Sequence, residues 1–171
     1  MSPPPHVTIE PATADDLETC TTYWVDLARE QRAHGSHVLG ETNRETIRAT
    51  LGAHSAGDGL LVARHDSTGT LAGFVSFYRE RGSFDLDVTR GLLSNLYVRP
   101  ADRNRGIGAS LLAAAEAALS EQGVDVLTLE AMAENEAARR FYRRHGYGAN
   151  RVAMERHLST EENDTHSKED G

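Results

Sequence analysis

The feature that most constrains the fold of this chain is a predicted strand that runs directly into a glycine-rich helix start. The apolar strand at residues 92–98 is followed by residues 103–108, which include Gly106 and Gly108, and then by an alanine- and leucine-rich stretch. A helix start has backbone N–H groups without partners and a partial positive charge, and both attract an anion. Glycine removes the Cβ atoms that would keep an anion from the backbone. The segment therefore predicts a diphosphate site where the strand meets the helix.

Two arginines strengthen this prediction. Arg103 and Arg105 flank the glycines and supply cationic donors suited to phosphate oxygens. The pattern Arg-x-x-Gly-x-Gly is short, however, and an ordinary strand-to-helix turn also satisfies it. The short motif alone leaves both interpretations open.

A second segment lies about thirty residues further along. On a helix predicted over residues 135–145, Asn135, Ala138 and Tyr142 share one face, because residues three and four apart align. Gly146 follows and is typical of a C-terminal cap. The alternative interpretation of Tyr142 is a half-buried packing tyrosine.

Composition and length predict one soluble domain. The 171 residues are 39% hydrophobic and 26% charged, and no run approaches the roughly 18 apolar residues of a membrane span. The N-terminus lacks the basic and apolar regions of a signal peptide, which predicts a cytoplasmic protein without membrane association. Cys20 is the single cysteine, so intrachain disulfides and a cysteine-based metal site are excluded, and we expect it to be inert packing.

The negative charge is unevenly placed. The net charge is −8, and residues 159–171 hold five acidic residues against Lys168, or about half of it. That tail has almost no apolar residues and is predicted to be disordered. The remaining net charge of about −4 argues against a nucleic-acid-binding surface.

The predicted elements follow the order β-α-α-β-β-β-α-β-α-β. Strands are predicted at residues 7–9, 60–64, 71–80, 92–98, 126–132 and 151–158. Helices are predicted from Asp15-Asp16 onward and at residues 42–54, 106–122 and 135–145. This order implies a chain of the α/β (α+β) class, with a mixed sheet and helices on both faces.

Both motifs, in this order and spacing, resemble the acetyl-CoA-binding core of the GCN5-related N-acetyltransferases (the GNAT family). The resemblance covers residues 7–158 and implies a mostly antiparallel central sheet flanked by helices, the acetyl-CoA N-acyltransferase fold. Residues 1–6 would be a flexible N-terminus and residues 159–171 the acidic tail. Family members commonly place a β-hairpin after the position of Tyr147, but only about eleven residues remain here before the tail. The hairpin that often walls the acceptor site is therefore predicted to be missing or very short.

The resemblance also implies a binding site for acetyl-CoA as co-substrate. The backbone of Leu96, Tyr97 and Val98 would bond the pantetheine arm as an added strand. Asn135 would contact the pantetheine, Ala138 would give it room, and Tyr142 would lie near the sulphur. The pyrophosphate would be held by the segment Arg103, Asn104, Arg105, Gly106, Ile107, Gly108 and Ala109.

Two residues are candidates for proton transfer. A phenol of pKa about 10, on Tyr142, can protonate a leaving thiolate as charge develops. The reaction also needs a neutral amine, and Glu130 is the candidate base. It is predicted to lie on the fifth strand, at the spacing from Asn135 seen in the ribosomal-protein N-terminal acetyltransferases that this segment resembles. A solvated or salt-bridged glutamate is the alternative interpretation, and Glu80 and Asn95 are weaker substitutes.

Acceptor selection in this fold usually comes from the first two helices and their connection. Trp24 shares a helical stripe with core residues and is predicted to pack there. His34 and His37 are predicted to be a surface pair rather than a metal site. The other candidates in this region are Tyr23, Glu30 and Glu41. A basic run at Arg139, Arg140, Arg143 and Arg144 would approach the 3′-phosphate or form a solvated face.

The resemblance implies an acetyl-CoA-dependent N-acetyltransferase. No activated cysteine or serine is evident, which favours direct attack in a ternary complex. The acceptor would be a primary amine of unknown identity: a peptide N-terminus, a lysine or a small molecule. Two alternatives stay open, namely a non-catalytic acyl-CoA-binding or sensing module and an interaction domain that uses the acidic tail. The short last strand is also compatible with pairing in a homodimer.

Overall fold

The protein is described by a computed structural model that covers Pro4 and residues 6–159. The described residues fall into two compact units, divided after Arg139. The predictions of a flexible N-terminus and of a disordered tail fall mostly on residues outside the described ranges.

The first unit contains a five-stranded sheet in sequence order. Its strands are β1 (Val7–Pro11), β2 (Leu60–His65), β3 (Leu71–Arg79), β4 (Arg90–Val98) and β5 (Val126–Leu129). Neighbouring strands pair antiparallel except β4 and β5, which are parallel. The prediction of a mixed, mostly antiparallel sheet flanked by helices is therefore confirmed.

The described residues form four α-helices: α1 (Leu17–Arg32), α2 (Arg44–Ala56), α3 (Ile107–Glu121) and α4 (Glu136–Arg144). A core cluster joins α1 and α2 to the inner strands through Cys20, Leu51, Val62 and Phe74, all fully buried. Cys20 is thus packing, as predicted, and burial raises the pKa of its thiol to about 12. None of the helices in the described ranges is long and apolar enough to cross a bilayer.

The pairing of β4 explains why β5 is shorter than predicted. β4 pairs with β5 only over residues 90–93, and its pairing with β3 then skips Ser94, which forms a β-bulge. A bulge bends its strand and increases the local twist. The two parallel strands therefore stop pairing at Leu93 and Leu129, and the prediction that Glu130 lies on the fifth strand is wrong.

The predicted last strand is also wrong. Residues 151–158 form no strand in the second unit, although Val152, Met154 and Leu158 follow the alternating pattern of one. A strand needs a hydrogen-bonded neighbour, which the alternation cannot supply. After Tyr147 the described residues contain no strand and therefore no β-hairpin.

Candidate active site

The first component of the site is a free strand edge. β4 pairs with β3 as far as Val98, but its pairing with β5 ends at Leu93. The other edge of residues 94–98 is therefore unpaired within the described sheet. Leu96 lies on this stretch with its backbone N–H and carbonyl directed to the free edge, so its backbone is open to an extended ligand that adds as a strand. The Tyr97 carbonyl is instead directed at β3, where a Cβ at Gly73 would meet it at 2.3 Å.

The second component is a run of unpartnered backbone amides, which we call the amide cradle (residues 104–109). No acceptor among the described residues takes a hydrogen bond from any of these six N–H groups. Asn104 and Gly106 adopt left-handed φ angles of +63° and +82°. Alternating handedness turns successive N–H groups toward one concavity, which is a general way to bind anions.

Glycine is needed at the start of α3 for its conformation. Gly106 caps the helix with its left-handed backbone, and its carbonyl accepts a 3.1 Å hydrogen bond from the Ser110 amide. A Cβ at Gly106 would meet no heavy atom within 4 Å. The space beside the amide cradle is thus open to an anion. Ile107 is buried and fixes the first turn of α3, whereas Gly108 and Ala109 are half-buried.

Arg103 is held by contacts within the protein. Its Nε donates to the carbonyl oxygen of Val98 at 2.8 Å, and its Nη2 lies 2.7 and 3.0 Å from the carboxylate oxygens of Glu30 on α1. Its guanidinium carbon lies 5.4 Å from the centre of the Tyr97 ring. Arg103 therefore links α1 to β4, and its bond occupies the Val98 carbonyl that was predicted to bond pantetheine.

Arg105 remains available to a phosphate. Its side chain is 64% exposed, and its Nη1 lies 3.9 Å from an Asp102 carboxylate oxygen. A long exposed cation beside the amide cradle can reach an anion without breaking a close ion pair. Arg103 and Arg105 were both predicted to contact a phosphate. Of the two, only Arg105 has an exposed guanidinium without a close ion pair.

Asp102 anchors the turn before the cradle, and sequence reasoning missed it. It is 3% exposed, it receives a hydrogen bond from Arg99 Nε, and it lies 3.0 Å from His65 Nε2. Burial alone would raise the pKa of Asp102, but hydrogen bonds from Arg99 and His65 more than offset it and hold the pKa below its ordinary value. This network ties the cradle to the end of β2.

We expect Asp102→Asn to lower the melting temperature by roughly 6–20 °C at pH 7. Breaking a buried ion pair costs about 3–5 kcal/mol, and each kcal/mol moves Tm by about 2–4 °C in a domain of this size. A lowered folded-state pKa means that the charged carboxyl stabilises the fold above its unfolded pKa, near 3.9, and loses that effect as the pH falls. Calorimetry from pH 7 to pH 3 should thus show the deficit shrinking below about pH 4. The exposed Asp66→Asn is the control, and an equal Asp102→Asn deficit throughout would contradict the assignment.

Asn135 caps α4. Its Oδ1 accepts the Ala138 N–H at 3.1 Å, and its backbone carbonyl accepts the Arg139 N–H at 3.1 Å. This is the geometry of an N-cap residue. Because Oδ1 of Asn135 already accepts this hydrogen bond, a contact of Asn135 with pantetheine would use the Nδ2 amide group. Both Asn135 and Ala138 are half-buried in the first unit.

Tyr142 belongs to the second unit. Its ring packs edge-on against Phe141 and Tyr147, with centroid distances of 5.2 and 5.9 Å. Gly146 has a φ of +91°, which confirms the predicted C-terminal cap. Burial raises the pKa of the Tyr142 phenol to about 12. The phenol is therefore fully protonated at neutral pH, as a proton donor must be.

The candidate base Glu130 and its two weaker substitutes, Glu80 and Asn95, differ sharply in their contacts. Glu130 is exposed in the loop after β5, and the structure describes no ion pair for it. Glu80 is bound through both oxygens by Arg90, whose hydrogen bonds lower the pKa of Glu80. Asn95 donates to the Ser76 hydroxyl at 2.9 Å. Of the carboxylates among the three, only Glu130 can meet an amine without leaving a partner.

The connection between α1 and α2 lies close to the loop that holds Glu130. A Cβ at Gly35 would lie 3.9 Å from the Cε atom of Met132. Both segments belong to the first unit and bring His34 and the β5–α4 loop to one area. No group of three or more potential metal ligands occurs among the described residues.

The other residues of α1 and α2 are mostly structural. Trp24 packs against the core cluster, which supports its predicted role. The Tyr23 hydroxyl donates to the Leu71 carbonyl at 2.6 Å. Glu41 is paired with Arg44, and in the basic run Arg139 contacts Glu136 at 3.2 Å.

Comparisons with known proteins agree with this architecture. A model of the acetyltransferase (GNAT) family matches residues 16–147. The sequence matches no curated protein. A GCN5-related N-acetyltransferase from Ralstonia eutropha JMP134 is 25% identical with a TM-score of 0.69, over 90% of this chain and 99% of that one.

Two further solved structures are similar in fold. The PaiA N-acetyltransferase of Thermoplasma acidophilum, solved with coenzyme A, is 21% identical with a TM-score of 0.67, over 90% of this chain and 94% of that one. An aminoglycoside N-acetyltransferase in complex with CoA is also 21% identical, with a TM-score of 0.63, over 90% and 96% of the two chains. Since the family model covers most of the chain, this protein belongs to the GNAT acetyltransferase family.

Proposed function

We propose that this chain is an acetyl-CoA-dependent N-acetyltransferase that acetylates a primary amine by direct attack in a ternary complex. The observation that carries the proposal is the amide cradle beside the free edge of β4. Together they offer partners for a diphosphate and for the amide groups of an extended arm. That two structural neighbours were solved with CoA supports this choice of co-substrate.

Different groups of the protein would bind different parts of acetyl-CoA. The backbone of Leu96 would bond the pantetheine arm, and the amides of residues 104–109 would hold the pyrophosphate. Arg105 would add a cation at the phosphates, because its guanidinium is exposed. Ala138 would leave room for the arm beside the Asn135 amide nitrogen.

The chemical step requires two proton movements. The amine nitrogen forms a bond to the acetyl carbon while the carbon–sulphur bond breaks, and the electron pair goes to the sulphur. Tyr142 would donate a hydrogen bond and then a proton to that thiolate. Glu130 would take the proton that the amine loses. Glu130 then releases its proton to solvent and Tyr142 takes one from solvent, so both side chains end the cycle unchanged.

We expect Glu130→Gln to lower kcat/KM at pH 7 by about 100-fold or more, the usual contribution of a general base. The deficit should shrink as the pH rises. At pH 7 roughly one α-amine in ten is neutral, but only about one lysine-like amine in 2,500. Above its pKa each amine is mostly neutral, so it no longer needs a base to remove a proton before it attacks. A pH series of kcat/KM for both forms tests this. Glu134→Gln, exposed in the same loop, is the matched control. A deficit that stays constant with pH would remove Glu130 as the base.

One assay separates an enzyme from a binding module. Release of the CoA thiol from acetyl-CoA is followed with a panel of amines: a peptide with a free N-terminus, a lysine side chain, a polyamine and an aminoglycoside. Acetyl-CoA binding is measured in parallel by calorimetry. Turnover with any amine supports the proposal. Binding without turnover across the panel favours a non-catalytic acyl-CoA-binding module, and absence of binding overturns both.

A further inference from the structure

A small cavity lies between helix α2 and strand β3, and we call it the α2 cavity. It is lined by Thr50, Ala53, His54, Gly57, Phe77 and Tyr78. Its volume is about 210 Å³. A cavity of about 150 Å³ is large enough for one benzene molecule. The α2 cavity can therefore hold a single aromatic ring.

Two aromatic side chains form a wall of this cavity. The ring centres of His54 and Tyr78 lie 5.5 Å apart, and the ring planes are tilted by 38°. Tyr78 is 43% exposed, so much of its surface is free to be covered by a ligand. Aromatic rings attract one another in tilted or offset arrangements, beyond the gain from burying their area. The wall thus favours a ring over an aliphatic group of the same size.

His54 is suited to a site that receives an amine. Its side chain is half-buried, and burial lowers the pKa of His54 more than a hydrogen bond with the Phe77 backbone raises it. The imidazole is therefore neutral at pH 7. A neutral imidazole does not repel the ammonium group that most amines carry at that pH.

The α2 cavity is on the sheet face that carries Asn95. Phe74 packs with residues of α2 in the core cluster, and the Tyr78 ring contacts His54 on the same helix. Side chains two apart on a strand share a face, so Ser76 lies on this face too. The Ser76 hydroxyl accepts the 2.9 Å hydrogen bond from Asn95 of β4. The cavity and the free-edge stretch of β4 are thus joined by one continuous surface.

The α2 cavity is also level with the point where β4 and β5 separate. Tyr78 pairs with Leu92, and the next residue, Leu93, forms the last pair with β5, at Leu129. Glu130, the proposed base, follows directly. Neighbouring strands are about 4.8 Å apart, so a ring beside β3 and an amine between β4 and β5 would be separated by roughly 5–10 Å.

We propose that the α2 cavity binds part of the acceptor, and that the acceptor is an aromatic ring joined to its primary amine by a short alkyl chain. The assignment rests on the proposed function, because it names the acceptor of that reaction. A chain of two to four carbons places the amine nitrogen roughly 5–8 Å from the ring centre. The ring packs against His54 and Tyr78 while the amine reaches Glu130.

A series of amines tests the ring preference. The value of kcat/KM is measured for phenylethylamine, phenylpropylamine and phenylbutylamine, and for butylamine, which has no ring. We expect the best phenyl compound to exceed butylamine by about 10- to 100-fold, the effect of burying one such ring. Cyclohexylpropylamine, which has an aliphatic ring, should be about 2- to 10-fold poorer than phenylpropylamine. Equal values for butylamine and the phenyl compounds would overturn the inference and leave the proposed function standing.

A variant that fills the α2 cavity tests its location. Ala53 is exposed, so Ala53→Leu narrows the cavity without pressing on the core. It should lower kcat/KM for phenylpropylamine by about 10- to 100-fold and leave butylamine unchanged. Ala56→Leu is the matched control, because Ala56 is exposed on the same helix and does not line the cavity. An equal loss with both amines in Ala53→Leu would contradict the assignment.

A binding measurement separates the cavity from the chemistry. With CoA in place of acetyl-CoA there is no acetyl group to transfer, so calorimetric titration of phenylpropylamine measures binding alone. Binding to the wild type should be about 10- to 100-fold tighter than to Ala53→Leu. Such binding without turnover of any amine would overturn the proposed function and leave the α2 cavity as an aryl-amine site. Equal binding to both forms, together with turnover, would overturn the inference alone.

Discussion

Replacing Tyr142 with phenylalanine should lower kcat by roughly 10- to 10,000-fold, with little change in acetyl-CoA affinity. The ring contacts with Phe141 and Tyr147 are kept, and only the hydroxyl is lost. A proton donor acts on the charge that develops in the transition state, so its loss appears in kcat rather than in binding. Steady-state kinetics and calorimetric titration measure the two effects separately.

The pH dependence gives a second test of the same residue. A phenol whose pKa is raised to about 12 stays protonated, and therefore competent as a donor, throughout the neutral and mildly alkaline range. The wild type should show no alkaline fall in kcat from this group below about pH 11, one unit under that pKa. Tyr147→Phe, in the same unit, is the matched control. Wild-type turnover in Tyr142→Phe would mean that the phenol only packs.

Replacing Gly106 with alanine should weaken acetyl-CoA binding by roughly 10- to 100-fold. The added Cβ points into the open space beside the amide cradle, and the left-handed φ of +82° is unfavourable for alanine. Losing one hydrogen bond to a charged phosphate costs about 1.5–3 kcal/mol, which corresponds to this range of affinity. Calorimetric titration of acetyl-CoA into the folded variant gives the dissociation constant.

Gly123 supplies a closely matched control for that experiment. It lies just after α3 with a φ of +81°, and a Cβ there also meets no heavy atom within 4 Å. Gly123→Ala should therefore cost a similar amount of stability, about 1–2 kcal/mol, through the same backbone strain. Its acetyl-CoA affinity should be that of the wild type. Equal affinities in the two variants would show that the amide cradle does not hold the diphosphate.

Arg103 connects helix α1 with the segment that leads into the amide cradle. An arginine that sequence reasoning assigned to phosphate is bound by Glu30, a residue of the helix that usually contributes to acceptor selection. The pair joins α1 to the segment that leads into the amide cradle. Rate effects of substitutions at Glu30 would therefore reflect cradle geometry as well as acceptor contacts.

The sequence alone determined the features that depend on neighbouring residues. The helix start at residues 106–108, the glycine cap at Gly146 and the order of the elements up to α4 were all predicted correctly, because they follow from local backbone preferences and periodicity. The packing of Cys20 and Trp24 followed from the same helical stripe. The family followed from two motifs of this local kind. The catalytic roles of Tyr142 and Glu130 stay predictions.

Only the tertiary structure decided what depends on residues distant in the chain. Arg103 meets Glu30 across 73 positions, and Asp102 meets His65 across 37, so no local pattern could assign their partners. The length of β5 depends on a bulge in β4, which places Glu130 in a loop. The alternation at residues 151–158 predicted a strand, but a strand exists only where another backbone completes its hydrogen bonds. A sequence encodes the preference of a segment, and the fold decides whether a partner lies within reach.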